Sequence, residues 1–315
     1  MGAELTIDKA SVKEISGAES ETKAKEASKT LTRRVWDEAR KSSLFWIGGI
    51  LIVLLVSTAL IWPEFSEFSA TKINVRNKYL PPLFFEGFDW AHPLGTDHLG
   101  RDIFLRCLIG LKISMFISVT SVVGFFIVGC FIGLWSGFKG KLTDILLMRL
   151  TDIQLAIPPI LLVVAILGVS RPTPLKIILV FILAGWPVYS RVARSIALAE
   201  RKKEYVRASQ VLGASDLRTV ILLIATNVLP AFAFVAVLDV ARMMIFEALI
   251  GFLGLGVQPP TPSFGSMIAD GRKYIMNAWW ICSMPGAFLL LVLLGLNLAG
   301  TAFERARDRV YGGLV

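Results

Sequence analysis

Two long stretches of chain carry no charge at all. Residues 44–62 read LFWIGGILIVLLVSTALIW, 19 residues, and residues 113–138 add 26 more. A helix needs about 20 apolar residues to cross the hydrocarbon core of a bilayer, so each run is a candidate span. Composition agrees: 55% of residues are hydrophobic and 18% charged, where soluble domains carry roughly a quarter charged residues. This excludes a soluble globular enzyme, and it excludes a disordered chain, which needs low hydrophobicity. The expected fold class is an all-α membrane protein.

The remaining spans are read from the gaps between charges. Residues 145–170 hold a third, with Arg149 and Asp152 near its start and Pro158-Pro159 inside. Prolines are tolerated in spans because neighbouring helices re-satisfy the freed carbonyls. A fourth is placed at about 174–194, where only 14 uncharged residues separate Lys176 from Arg191 and snorkelling extends the usable length. The region 219–257 is ambiguous: 219–238 is uncharged and 248–257 follows, giving two spans or one. A last span lies at about 284–303, before Arg305, Arg307 and Arg309.

Charge placement decides the count. Most Lys and Arg residues fall in 1–43, 139–149, 191–218 and the C-terminus, which share one side if there are six spans. Basic loops stay cytoplasmic, so both termini are expected inside, and one span is placed at about 228–254. The expected organisation is a cytoplasmic polar tail over 1–43, with a frayed helix at 20–41, and a first span with its extracytoplasmic loop over 44–112. A permease-like bundle over 113–303 and a cytoplasmic tail over 304–315 complete it. The net charge of +9 then belongs to membrane topology, and no nucleic acid is implied.

Chemistry-bearing motifs are sparse. The sequence holds no GxxxxGK[ST] phosphate loop, HExxH, GxSxG or CxxC. Cys107, Cys130 and Cys282 have no metal-ligand spacing, and the histidines are His92 and His98 alone. No cofactor, metal or catalytic residue is expected.

The most informative stretch between spans is 199–218, AERKKEYVRASQVLGASDLR. Tyr205, Ala208 and Leu212 fall at i, i+3 and i+7, one face of a short helix. Glu204 and Arg207 flank them, and the small Ala208 and Ser209 permit close approach of another surface. Gly213 suits the left-handed position after a helix end, and Ser215 or Asp216 can open the next helix. A solvated basic loop and a helix docked into a soluble partner both fit.

Four strings carry a family resemblance. Arg207-Ala208-Ser209 with Gly213 is similar to the coupling-loop motif E-A-A…G of ABC-importer permeases, with Arg207 at the Glu and Ser209 at the second Ala. HPLGTDHLGRDIF, 92–104, resembles the signature before the second span of the C-type permease subunit of dipeptide and oligopeptide importers. EALIGFLGLGVQPPTPSFG, 247–265, resembles that subunit's fifth span and following loop, with Phe264 at a usual Trp. RLTDIQLAIPPILL, 149–162, fits as well, and the likeness covers about 44–309.

The resemblance implies a six-transmembrane-helix type-I ABC-importer permease bundle in the cytoplasmic membrane of a prokaryote. It implies a second permease subunit as heterodimer partner, two ABC ATPase subunits and an extracytoplasmic substrate-binding protein, with peptide as cargo. Nickel, glutathione or an opine could replace peptide, and a non-transporting scaffold is the reading from another class.

Each string also has a physical reading. Gly95 and Gly100 flank Thr96-Asp97, so Asp97 is expected to cap a short surface helix near Arg101 and Asp102. Pro259, Pro260 and Pro262 are expected to stop the fifth span and stiffen its loop. Asp239 and Arg242, at i and i+3, can pair in that span; a structural ion pair, a pathway lining and an inter-subunit seam all fit. Glu247 is expected nearer the outside, meeting a substrate amine or snorkelling into lipid headgroups.

Overall fold

The computed structural model describes residues 33–312, apart from 67, 84 and 170. Of the polar tail and its frayed helix, 1–32 lie outside the described residues, and 33–39 are helical. Nine labelled helices follow: α1 (Ser43–Phe65), α2 (Ile103–Lys139), α3 (Lys141–Leu155), α4 (Pro159–Val169), α5 (Pro174–Glu200), α6 (Glu204–Val211), α7 (Ala225–Phe252), α8 (Phe264–Gly271) and α9 (Trp280–Gly312). Among the described residues, α1, α2, α5 and α9 are each long and apolar enough to cross a membrane, four in all. The pair α3–α4 makes a fifth candidate, bent by 79°.

The bend falls within the span expected over 145–170, at the two prolines noted there. Pro158 and Pro159 are adjacent, so two N–H donors are missing in succession and two rings crowd the preceding turn. Single prolines are absorbed: Pro63, Pro187 and Pro285 each lie inside a continuous helix.

Helix ends also differ from the hydropathy limits. Helix α2 starts at Ile103, where the Asp102 carboxylate accepts from Leu105 N at 2.6 Å. Arg106 and Lys112 lie inside this first stretch, which hides it from any search for uncharged runs. The ambiguous 219–257 region resolves into one helical run. A turn at Asp216–Arg218 and a π-helical turn at Thr219–Ile224 lead without a break into α7. Helix α7 ends well before Pro259. Gly254 takes φ +82°, its N–H reaches Gly251 O at 3.0 Å, and Leu255 N reaches Ile250 O at 3.0 Å. These are the two bonds of a Schellman stop, so glycine ends this helix and the prolines shape the connection to α8.

Helices α2 and α5 run parallel and form the main seam. A Cβ on Gly129 would stand 2.5 Å from Trp186 O, and one on Gly137 2.7 Å from Arg194 O. Gly133, between them, faces the Ser190 carbonyl in the same way. Small residues at four-residue spacing let two backbones touch, which replaces the hydrophobic drive that lipid cannot supply. Helix α1 packs antiparallel on α9 through Gly48, close to Gly295 and Ala299. The main core joins residues of α2, α5, α7 and α9, among them Leu111, Phe125, Tyr189, Met244 and Val292. A second cluster joins Ile117, Val163, Leu167, Phe181 and Ile250, and a third seats Val35 and Ala39 on Ala306. On α1 the side chains of Ile47, Ile50, Val53 and Leu54 stay exposed, an apolar outer surface suited to lipid.

Candidate functional site

The connection between α5 and α7 forms the α6 corner. Val206 is fully buried against the bundle, and the Tyr205 ring packs on the same core. The Tyr205 hydroxyl donates to Glu200 at the end of α5, and Lys203 Nζ meets the other oxygen of that carboxylate at 2.6 Å. The face predicted from Tyr205, Ala208 and Leu212 is therefore split. Tyr205 turns inward, while Ala208, Val211 (82% exposed) and Leu212 (70% exposed) face outward. The cause is the helix end: Leu212 is the cap, with φ −78° and ψ 4°, and no longer follows the helical period.

Gly213 closes α6. Its φ is +82°, its N–H bonds Gln210 O at 3.0 Å, and Ala214 N bonds Ser209 O at 3.1 Å. Glu204 opens the helix, exposed together with Arg207. Ser209 is half-buried, 3.4 Å from the Thr219 hydroxyl. The Ser215 side chain accepts from Arg218 N and opens the turn that leads to α7.

Further bonds tie this corner to the ends of α2 and α3. Lys139 pairs with Asp216, and Arg201 Nη1 donates to Gly137 O at 3.1 Å. Arg194 grips Asp144 with two bonds, Nε–Oδ1 at 2.5 Å and Nη2–Oδ2 at 2.6 Å, and Ser136 adds a third. These bonds join the corner to α2, and join α5 in turn to α3.

A second constellation lies inside α7. Arg242 Nη1 stands 3.0 Å from Asp239 Oδ1, and the Tyr189 hydroxyl from α5 donates to Asp239 Oδ2. The Asp239 side chain is 10% exposed and that of Arg242 73%. Glu247 departs from expectation. It is 1% exposed, and Ser114 Oγ of α2 donates to its Oε2 at 2.7 Å, so it neither snorkels nor faces open space. Helix α2 packs over α7 at this point and covers it.

The 92–102 segment folds into a buried polar knot. Asp97 Oδ1 accepts from Leu99 N at 2.8 Å and Arg101 N at 3.0 Å, and its Oδ2 accepts from Arg101 Nε at 2.7 Å. Asp97 closes a turn here, and Asp102 caps the helix that follows. His92 Nδ1 lies 2.8 Å from Asp102 Oδ2; since a carboxylate only accepts, that nitrogen carries the hydrogen. Burial pushes the Asp102 carboxyl up from its usual range, against the bonds from Leu105 and His92. Burial pushes His98 down; its ring stacks on Tyr274 at 4.9 Å. Thr96 pairs with Asp102 as an isolated β-bridge, and Trp280 Nε1 donates to Thr96 O at 3.2 Å. Gly95 and Gly100 hold φ +76° and +71° in the turns on either side. The segment is a rigid plug between the starts of α2 and α9. Pro259, Pro260 and Pro262 lie in the separate connection from α7 to α8.

Residues 129–309 match the family described as binding-protein-dependent transport system inner membrane component. The chain belongs to this family. Residues 30–82 also match the N-terminal transmembrane domain of oligopeptide transport permease C. A di/tripeptide transport system permease protein of Pseudomonas aeruginosa is 37% identical over 263 residues, 83% of this chain and 87% of that protein. A dipeptide transport system permease protein of Haemophilus influenzae is 32% identical over 282 residues, covering 90% and 96% of the two chains. An oligopeptide transport system permease protein of Bacillus subtilis is 34% identical over 278 residues, covering 87% and 89%. The permease is therefore a multi-pass component of a bacterial inner membrane, and it is the transmembrane part of its transporter, with no catalysis of its own. A binding protein and an ATPase are the partners that membership implies.

Three positions that hold this geometry together escape a reading by spacing. Glu200 and Val206 fix α6, yet Glu200 reads as one more charge in a charged run. The signal for Val206 was available, as the one aliphatic residue between Tyr205 and Arg207. Tyr189 lies 50 residues from Asp239 in sequence, and no local pattern joins them.

Proposed function

We propose that this permease forms one half of the pore of a peptide-importing ABC transporter, with α6 as the helix that receives the ATPase stroke. The relatives are permeases named for di- and tripeptides, dipeptides and oligopeptides, and that is the cargo class proposed for this chain. The observation that carries the coupling role is the exposed apolar tip Ala208–Val211–Leu212 on a helix whose other face is locked to α5. An apolar tip at the end of a bundle, outside any lipid-facing stretch, calls for a protein groove to cover it.

The full assembly has a second permease subunit as heterodimer partner, two ABC ATPase subunits under the two coupling helices, and an extracytoplasmic binding protein on the opposite face. With six spans and both termini cytoplasmic, α6 lies on the ATPase side and the 92–102 plug on the binding-protein side. Helices α3–α4 and α7 supply the two spans beyond the four straight apolar ones. Asp239 and Arg242 line the pathway, and the surrounding surface of α1 meets lipid. Alternating access follows as rocking of the bundle about the pore.

The test is uptake by the reconstituted complex in proteoliposomes with a peptide panel and nickel. ATP-dependent peptide uptake that requires the binding protein is the expected result; uptake of nickel alone would contradict the peptide reading.

A further inference from the structure

Arg242 sits where a charge has no business in lipid. It lies ten residues before the end of α7 at Phe252, so about 15 Å along the helix axis, half of a hydrocarbon core about 30 Å thick. Its side chain is nonetheless 73% exposed, whereas its partner Asp239 is 10% exposed and Glu247 is buried. Ionisable groups at that depth face a water-filled path or another protein surface.

The guanidinium is also held in place. The Tyr189 ring is wedged among Phe125, Phe126 and Phe232, with centroids 5.2, 5.7 and 5.3 Å away. Its hydroxyl fixes one oxygen of Asp239, and the other oxygen fixes Arg242 Nη1 at 3.0 Å. One N–H of the five in the fork is engaged there among the described residues. The open remainder matches a carboxylate in geometry.

We infer that Arg242, oriented by Asp239 and Tyr189, is a mid-membrane transit site for the terminal carboxylate of the peptide cargo. This rests on the peptide-import reading above. Asp239 offsets part of the guanidinium charge, so a carboxylate is attracted yet released, as passage demands. Ile245 and Leu249, the next exposed residues of α7, are 50% and 41% exposed and offer only apolar contact. A path with one polar anchor and bland walls fixes the invariant end of a peptide and tolerates its variable side chains.

The experiment compares uptake of a free-acid tripeptide and its C-terminal amide by the complete reconstituted complex, for wild type, Arg242→Gln and Arg242→Lys. Any preference of the binding protein for the acid is the same in all three and divides out. With Arg242→Gln, acid uptake should fall about tenfold while amide uptake stays within about twofold, the scale of one charge-assisted hydrogen bond. Arg242→Lys keeps the charge without the fork and should raise KM for the acid alone. Equal losses for acid and amide in both variants would overturn the inference and assign Arg242 to the seam with the second permease. Unchanged acid-to-amide ratios at wild-type rates would overturn it too. Absence of ATP-dependent uptake of either peptide by the wild-type complex would instead strike the peptide-import reading, which separates the two failures.

Discussion

The Tyr205 hydroxyl donates to Glu200 across the corner between α5 and α6, while Lys203 meets the same carboxylate at 2.6 Å. Glu200 is only 9% exposed, so its carboxylate is largely withdrawn from water, while the Lys203 side chain stays more than half exposed. The two bonds tie the start of α6 to the end of α5, and on the proposed coupling a displaced α6 would draw α5 with it. Removing the donor by Tyr205→Phe leaves a nearly buried carboxylate short of one bond, worth about 1.5–3 kcal/mol. Amide exchange across 204–211 should accelerate accordingly, and more ATP should be consumed per solute moved. Wild-type exchange protection in Tyr205→Phe would show that the corner is held by packing alone.

Gly213 offers a cleaner backbone test. At φ +82° a side chain is strained, although nothing lies within 4 Å of the point where its Cβ would stand, and an alanine there costs about 1–2 kcal/mol. Gly168 also has open space, without a positive φ. Thermal unfolding in nanodiscs should show Gly213→Ala destabilised and Gly168→Ala unchanged or slightly more stable. Equal midpoints for the two would show that the positive φ of Gly213 does not matter to the end of α6.

The α2–α5 seam predicts steric intolerance. Gly133→Val pushes a branched side chain into the Ser190 carbonyl, an overpacking cost of about 1–3 kcal/mol. Gly49→Val on α1 meets open space and serves as the control. The seam valine should lower the unfolding midpoint and the yield of assembled complex; the control should do neither.

How much of this was legible in the sequence depends on the length scale of the signal. Uncharged runs revealed α1 and the bulk of α2 and α9, because burial in lipid is recorded in every residue of a span. Helix ends were poorly legible. Arg106 is buried at 5% and donates to Ala70 O at 3.0 Å, so a charge that ends a hydropathy window does not end the helix. The prolines Pro158-Pro159 were visible inside the third span, but the size of the bend they make was not, since lone prolines elsewhere in the chain sit in continuous helices. Gly213 and the Asp239–Arg242 pair are local in sequence and were found. Tyr189 with Asp239, Ser114 with Glu247, and the glycines of α2 with the carbonyls of α5 are long-range meetings. None of them was read from the sequence, since no local pattern joins residues so far apart in the chain.

The stacked His98 makes a pH prediction. Burial holds its folded-state pKa below the ordinary 6.5, so between those values the unfolded chain binds a proton that the folded chain refuses. Stability therefore rises with pH through that window and is lost as pH falls below about 6.5. His98→Gln should flatten the change in unfolding midpoint between pH 7.5 and 5.5. Asp102, shifted the opposite way, contributes equally to both proteins and cancels in the difference. An identical pH dependence in the two proteins would mean that His98 does not titrate with folding.

If α6 carries the stroke of the ATPases into the bundle, Ala208→Glu should break the coupling. Ala208 is exposed on the outer face of α6, so the substitution disturbs no internal contact and places a charge in the proposed groove. With both permeases, the ATPases and the binding protein reconstituted together, permease pairing should match wild type. ATPase retention on pull-down should fall about tenfold, a loss of about 1.4 kcal/mol, or ATP hydrolysis should continue without uptake. Wild-type retention together with wild-type uptake per ATP would contradict the account and leave α6 as an ordinary turn between two spans.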